Sequence, residues 1–187
     1  MCNIKNITFL LIILFFLLTI QQISAHDRSL ISDNSELDIF YDLADKGYNH
    51  LEQGEWHKAV KAYQEALSIK PKDDIAWSNM GLAYSNMGLT YNAIEAFYNA
   101  IDINPNSSRT WYNLGDAYSE LNQLNDAVSA LENAVNIDPD YAYAWLGLGV
   151  TYSELGQREN AMHAYNTLKK LDNDLARDLR HLIDMFF

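Results

Sequence analysis

The side chains able to do chemistry in this sequence are spaced for hydrogen bonding rather than for bond making. His26, His50, His57, His163 and His181 form no H-x-x-x-H or H-E-x-x-H pair of the kind that seats a metal on one helix face. There is no G-x-x-x-x-G-K-[ST] phosphate loop and no G-x-S-x-G nucleophile elbow. Paired carboxylates such as Asp73-Asp74 fall in turns, where capping is their ordinary role. No metal, no cofactor and no catalytic residue is expected. What recurs instead is an amide. Asn79 and Asn113 stand thirty-four places apart, and each can donate to and accept from one peptide group.

That spacing is the spacing of the whole chain after residue 39. Pro71, Pro105 and Pro139 share it, as do Trp77, Trp111 and Trp145, and Gly47, Gly81, Gly115 and Gly149. Tyr84, Tyr118 and Tyr152 add another series, and Ala59, Ala93, Ala127 and Ala161 another. The units run 40–73, 74–107, 108–141 and 142–175. Inside a unit the apolar spacing is helical: Trp111, Leu114, Gly115 and Tyr118 follow i, i+3, i+4, i+7, and Ala127, Leu131, Ala134 and Val135 do the same. Between the two stretches lies Gly54, Gly88, Asn122 or Gly156, types that accept a left-handed backbone and end a helix. Each proline ends the second stretch, and Asp73, Ser107 or Asp140 can cap the next. The unit is a helical hairpin, and its small Gly and Ala positions are expected to bring helix backbones close together. A hairpin cannot cover its own apolar face, so the units must stack.

Charge narrows the partners. Thirteen Lys and Arg stand against 25 Asp and Glu among 187 residues, a net charge of −12. Such a chain lacks the cations that neutralise phosphates, so nucleic acid and anionic membrane surfaces are excluded as partners. The lone cysteine, Cys2, precludes an internal disulfide framework.

The N-terminus reads as an address. Residues 6–25 carry no charge, and the apolar centre, residues 7–20, follows Lys5. This is the layout of a secretory signal, with Ile23-Ser24-Ala25 as a cleavage site. At about 21 Å as a helix, the apolar centre falls short of a bilayer core of about 30 Å. Ile23 is larger than cleavage prefers, however, so a retained anchor stays open. In either case the remainder lies outside the cytoplasm. The expected organisation is 1–25 signal or anchor, 26–34 linker, 35–175 repeat array and 176–187 capping helix. Ser35-Glu36-Leu37-Asp38 resembles a capping signal for the first helix. Leu175, Leu179, Leu182, Ile183 and Phe186 form a stripe that packs on the fourth unit or ends in an apolar docking tail. Asn106-Ser107-Ser108 is a glycosylation sequon.

The ladders resemble the tetratricopeptide repeat, W-x₂-L-G-x₂-Y…A-x₃-F…A…P, which has the same period. The second unit matches as Trp77, Met80, Gly81, Tyr84, Ala93, Phe97, Ala100 and Pro105, and the third as Trp111, Leu114, Gly115, Tyr118, Ala127, Leu131, Ala134 and Pro139. The first unit departs most, with Leu43, Lys46 and His50 at the Trp, Leu and Tyr places. The resemblance implies an all-α, right-handed superhelical array of about four hairpins with a C-terminal capping helix. It further implies a concave groove lined by the first helix of each hairpin. Carried onto this chain, the groove residues are Tyr41, Asp45, Tyr48, Asn79, Leu82, Arg109, Tyr112, Asn113, Asp116, Tyr143, Gly147 and Val150.

Gly147 would leave a gap for a ligand side chain, and the tyrosines offer contact area at little entropic cost. Groove-facing charges are five carboxylates (Asp45, Glu52, Asp116, Glu120, Glu154) against Arg109, favouring a neutral or basic protein segment. Some relatives clamp a chaperone's terminal carboxylate with Lys, Asn, Asn, Lys and Arg. Those places hold Ala44, Tyr48, Asn79, Arg109 and Asn113 here, so only Asn79 and Arg109 fit. The expected function is an extracytoplasmic, non-catalytic scaffold binding protein or peptide in its groove. The alternatives are a membrane-tethered assembly factor for an envelope or secretion complex, and an accessory domain to a separate catalytic chain.

Overall fold

The computed structural model describes residues 35–187. The signal, anchor and linker expected at 1–34 lie outside the described residues, as does His26. Nine helices and no strand occur among the described residues: α1 (35–52), α2 (Trp56–Ile69), α3 (Asp74–Asn86), α4 (Thr90–Ile103), α5 (Ser108–Glu120), α6 (Leu124–Ile137), α7 (Ala142–Glu154), α8 (Arg158–Leu171) and α9 (Asn173–Phe186). None of them is long and apolar enough to cross a membrane.

The helices pair as the period requires. Gly54, Gly88, Asn122 and Gly156 sit at φ 72°, 70°, 56° and 70°, closing the four hairpins in the left-handed region that glycine and, next to it, asparagine tolerate. Asp73 caps α3 by accepting from the Ala76 amide, and Ser107 caps α5 by accepting from that of Thr110. The third expected cap fails. Tyr141, not Asp140, stands at the N-cap of α7, with no side-chain cap bond. One full period beyond Ser107 is position 141, so Asp140 falls one place early and its amide instead donates to the Asp138 carboxylate at 3.1 Å. Ser35 is the first described residue and is already helical.

Each helix packs on its sequence neighbours, and the first helices of successive units touch as well, α3 on α5 and α5 on α7. The core is therefore a row of four linked clusters along the array. Its closest contacts differ from the expected backbone-to-backbone approach. A Cβ on Gly81 would stand 2.5 Å from Phe97 Cε1, one on Gly47 2.8 Å from Tyr63 Cε1, and one on Gly115 2.6 Å from Leu131 Cγ. The glycines are bare so that a large side chain of the second helix can lie flat on the first. Phe97 is fully buried there, a burial that contributes about 1.5–3 kcal/mol.

Between units the proline and tryptophan ladders prove to be one ladder. The indole Nε1 of Trp77 donates to the Pro71 carbonyl at 2.9 Å, that of Trp111 to Pro105 at 2.8 Å, and that of Trp145 to Pro139 at 2.8 Å. Each bond ties the first helix of one unit to the end of the unit before. Thr110 Oγ1 donating to Ser78 Oγ at 3.2 Å is a further tie between units, while Asn104 Nδ2 donating to Asp74 at 2.7 Å joins the two ends of the second unit.

The last helix closes the array. Leu179 and Ile183 of α9 join Ala161 and Leu168 in one cluster, and Leu179 lies on Gly149. Asp172 caps α9 by accepting from the amides of Asp174 and Leu175. The stripe packs as far as Ile183. Met185, Phe186 and Phe187 are exposed, with the Arg158 guanidinium 5.6 Å from the Phe187 ring centre.

Two glycine substitutions separate crowding from backbone strain. Gly81→Val drives two methyls into Phe97 and is expected to cost about 1–3 kcal/mol. Gly88 has open space around its Cβ, so Gly88→Ala costs only its left-handed conformation, about 1–2 kcal/mol. Urea denaturation checks both. A Phe97→Ala change, which empties the seat, loses about 3–5 kcal/mol.

Candidate functional site: the concave face

The first helices of the hairpins turn one side to a shared concave surface, and three hollows run along it. The first, about 260 Å³, lies between α1 and α3 and takes in Tyr41, Asp45, Tyr48 and Asn79 together with Phe40, Tyr63 and Ile75. The second, about 80 Å³, joins Asn79 to Arg109 over Ser78 and Thr110. The third, about 160 Å³, lies between α3 and α5 and holds Leu82, Asn113, Asp116 and Glu120 over Phe97. Eight of the twelve expected residues thus line these hollows: Tyr41, Asp45, Tyr48, Asn79, Leu82, Arg109, Asn113 and Asp116.

The other four stand further along. Tyr112 is half-buried with its ring edge-on to Tyr141, centres 5.3 Å apart, and Tyr143 is 56% exposed. The expected gap at Gly147 is absent. Leu131 of the preceding hairpin fills it, its Cδ2 only 3.1 Å from where a Cβ would sit. Val150 is partly buried against the cluster that α9 completes, so it serves the cap of the array as much as the groove.

Helix geometry explains why Asn79 and Asn113 line up. They hold the same place in α3 and α5, adjacent helices set in register by the Ser78–Thr110 bond and by the caps at Asp73 and Ser107. Asn113 is 8% exposed and its Nδ2 has no hydrogen-bond partner. A dry, unpaired amide at the wall of a hollow costs stability, and a half-turn of the amide offers that donor to an entering carbonyl.

Two residues, Tyr63 and Tyr141, escaped the sequence pattern. Tyr63 takes the seat that Phe97 and Leu131 take elsewhere, and its extra hydroxyl lies buried at the first hollow, close to the Asn79 side chain but without a hydrogen bond of good geometry. The signal was a tyrosine where the second and third units carry a hydrocarbon. Burial pushes that phenol up to about 12, and pushes Tyr112 up to about 12 as well. Ile75, at a place the family resemblance also turns toward the groove, lines the first two hollows while 66% exposed, an apolar side chain offered to the groove. Tyr141 belongs to a turn, where helical periodicity gives no facing.

The electrostatics are acidic. Asp116 opens to solvent yet sits low in its hollow; that confinement, with Glu120 one turn away, holds its carboxyl above the ordinary value. Among the described residues no group of three His, Cys, Asp or Glu side chains could hold a metal. His50, which replaces a packing tyrosine, has its Nδ1 2.6 Å from Glu55 Oε2 at the first hairpin's turn.

These placements fix two outcomes. Because a raised carboxyl favours the protonated folded state, Asp116 detracts from stability above its own pKa and not below the unfolded value. Asp116→Asn is therefore expected to raise the melting temperature at pH 7, with the gain vanishing near pH 3. Tyr63→Phe removes an unpaired buried hydroxyl and is expected to be neutral or stabilising by about 1 kcal/mol in urea.

The comparisons agree with this architecture. Family models described as TPR repeat match residues 47–88 and 115–156, and models described as tetratricopeptide repeat match 75–107, 96–129 and 142–175. No curated protein matches the chain in sequence. Among solved structures, the MamA protein superposes with TM-score 0.68 at 24% identity, over 80% of this chain and 86% of that one. The first TPR of Spaghetti (RPAP3), bound to the HSP90 peptide SRMEEVD, gives 0.62 at 20% identity over 64% and 94%. A Thermobaculum terrenum O-GlcNAc transferase mutant gives 0.67 at 20% identity, over 72% of this chain but 26% of that one. At these identities the structural likeness speaks to fold. With the models together spanning residues 47–175, and the hairpins, glycine seats and proline–tryptophan ties in place, the chain belongs to the tetratricopeptide repeat family.

Proposed function

We propose that the chain is a non-catalytic scaffold that holds an extended protein segment along its concave face. The observation that carries this reading is the register of Asn79 and Asn113 in adjacent helices, Asn79 between the first two hollows and Asn113 in the wall of the third. Amides at such a spacing pair with successive peptide groups whatever the side chains, while the hollows take apolar residues between them. A similar array, the first TPR of Spaghetti, is bound to an HSP90 peptide, which supports a peptide as the class of ligand. That peptide, SRMEEVD, carries three acidic residues. The groove here presents Asp45, Asp116 and Glu120 against Arg109, so its segment is neutral or basic.

The uncharged stretch at residues 6–25 supports a place outside the cytoplasm, and it leaves two forms of the same scaffold. Freed after Ala25, the chain is a diffusible binder. Retained, it is tethered and organises an envelope or secretion complex. N-terminal sequencing of the exported protein separates them: a start at His26 removes the tether.

The groove is tested by cross-linking pull-down with Asn79→Ala/Asn113→Ala. Each lost hydrogen bond is worth about 0.5–1.5 kcal/mol, or roughly two- to twelvefold in affinity, so the double variant should recover its partners many-fold less well. Undiminished recovery would show that the asparagines are not the contact.

A further inference from the structure

The convex back of the array carries one pocket twice. The first, about 350 Å³, is formed where α2, α3 and α4 meet, with Trp77, Tyr84 and Glu95 around Met80. The second, about 360 Å³, is formed where α6, α7 and α8 meet, with Trp145, Tyr152 and His163 around Leu148. Every residue lining the first has its counterpart in the second, two full repeat periods further along the chain. Both cavities fall within the range of about 300–1,000 Å³ typical of ligand sites.

The chemistry of the two is alike. Each sets an indole and a phenol beside one carboxylate, Glu95 in the first and Glu132 in the second, with amides at the edge and no Lys or Arg in the lining. Each indole is fixed by its bond to the proline carbonyl of the preceding unit. A fixed aromatic ring beside a carboxylate suits a cation with an apolar stem. Guanidinium suits it better than ammonium, because it is planar, stacks on indole and has five donors for the carboxylate and amide oxygens. The net charge of −12 draws such a group in.

We propose that these pockets dock arginine side chains of a partner protein, the Trp77 pocket being the stronger. Two differences rank them. Where the first has Glu95, the second has His163, whose ring stands edge-on to Trp145 with centres 5.9 Å apart and takes up ring surface. Glu132 is already engaged by the Tyr152 hydroxyl at 2.7 Å. The unit between is closed. At the place of Gln64 and Glu132 it has Tyr98, whose hydroxyl lies 2.7 Å from that of Tyr118, so a rigid ring spans the place that opens on either side. The partner is therefore held at two points two units apart, on the face opposite the groove.

The test is titration of the intact chain with Nα-acetyl-arginine methylamide, read at the indole N–H signals of the tryptophans by NMR, with the lysine and leucine analogues alongside. The Trp77 signal should move saturably and more than that of Trp145, Trp111 should stay still, and the lysine and leucine analogues should act less. Glu95→Gln should weaken the Trp77 response about two- to fivefold, the worth of an exposed ion pair. Tyr98→Ala should make Trp111 respond. Both altered side chains are exposed, so unchanged signals elsewhere confirm the fold. The proposal is overturned by no saturable movement at Trp77, by equal responses to the three analogues, by indifference to Glu95→Gln, or by a Trp111 that moves before Tyr98 is removed or stays silent afterwards.

Discussion

The array depends on one repeated contact, a large side chain laid on a helix with no side chain of its own at that point. Tyr63 on Gly47, Phe97 on Gly81 and Leu131 on Gly115 leave less than 3 Å for any added Cβ, so each hairpin closes at one depth. Packing density makes that contact unforgiving, since a core tolerates neither the extra methyl nor the void. In the fourth unit Leu179 of α9 makes the contact with Gly149, so there the seat is filled from the following helix rather than from the hairpin's own second helix. Given hairpins of fixed depth, the indole-to-proline bonds set the offset of each unit on the last. The concave and convex faces follow from those two constraints.

Much of this was legible because a repeat writes each physical requirement several times over. A residue with positive φ at each turn and a glycine under each large side chain recur in all four units, with proline at the exit of the first three, and the recurrence gives the elements and their pairing. What the period could not carry is what differs between units. Asp140 looked like a cap, but the repeat places the cap at 141, where a tyrosine stands. Gly147 looked like a gap, but the space beside a glycine belongs to whichever neighbour reaches it, and Leu131 does. The Tyr63 hydroxyl reaches the groove because a ring seated on a glycine points its far end inward, a consequence visible only once the seat is known.

The groove residues were placed by resemblance to the family, and the structure sorts them by what they touch. Those from α1, α3 and α5 other than Tyr112 surround hollows, whereas Val150 in α7 is partly buried against the cluster that α9 completes. The hollows of the concave face are therefore concentrated in the N-terminal three units, where one arginine stands among carboxylates. The two faces also differ in kind. The concave side offers amides between apolar hollows and is suited to a backbone; the convex side offers fixed rings beside a carboxylate and is suited to single side chains.

The most direct measurement of the groove reading follows the side-chain amide signals of Asn79 and Asn113 in a labelled chain as a captured partner segment is added. Both signals are predicted to move together and to gain protection from exchange, as each amide takes a peptide group. Partner binding that shifts other residues while both amide signals hold still would contradict the account.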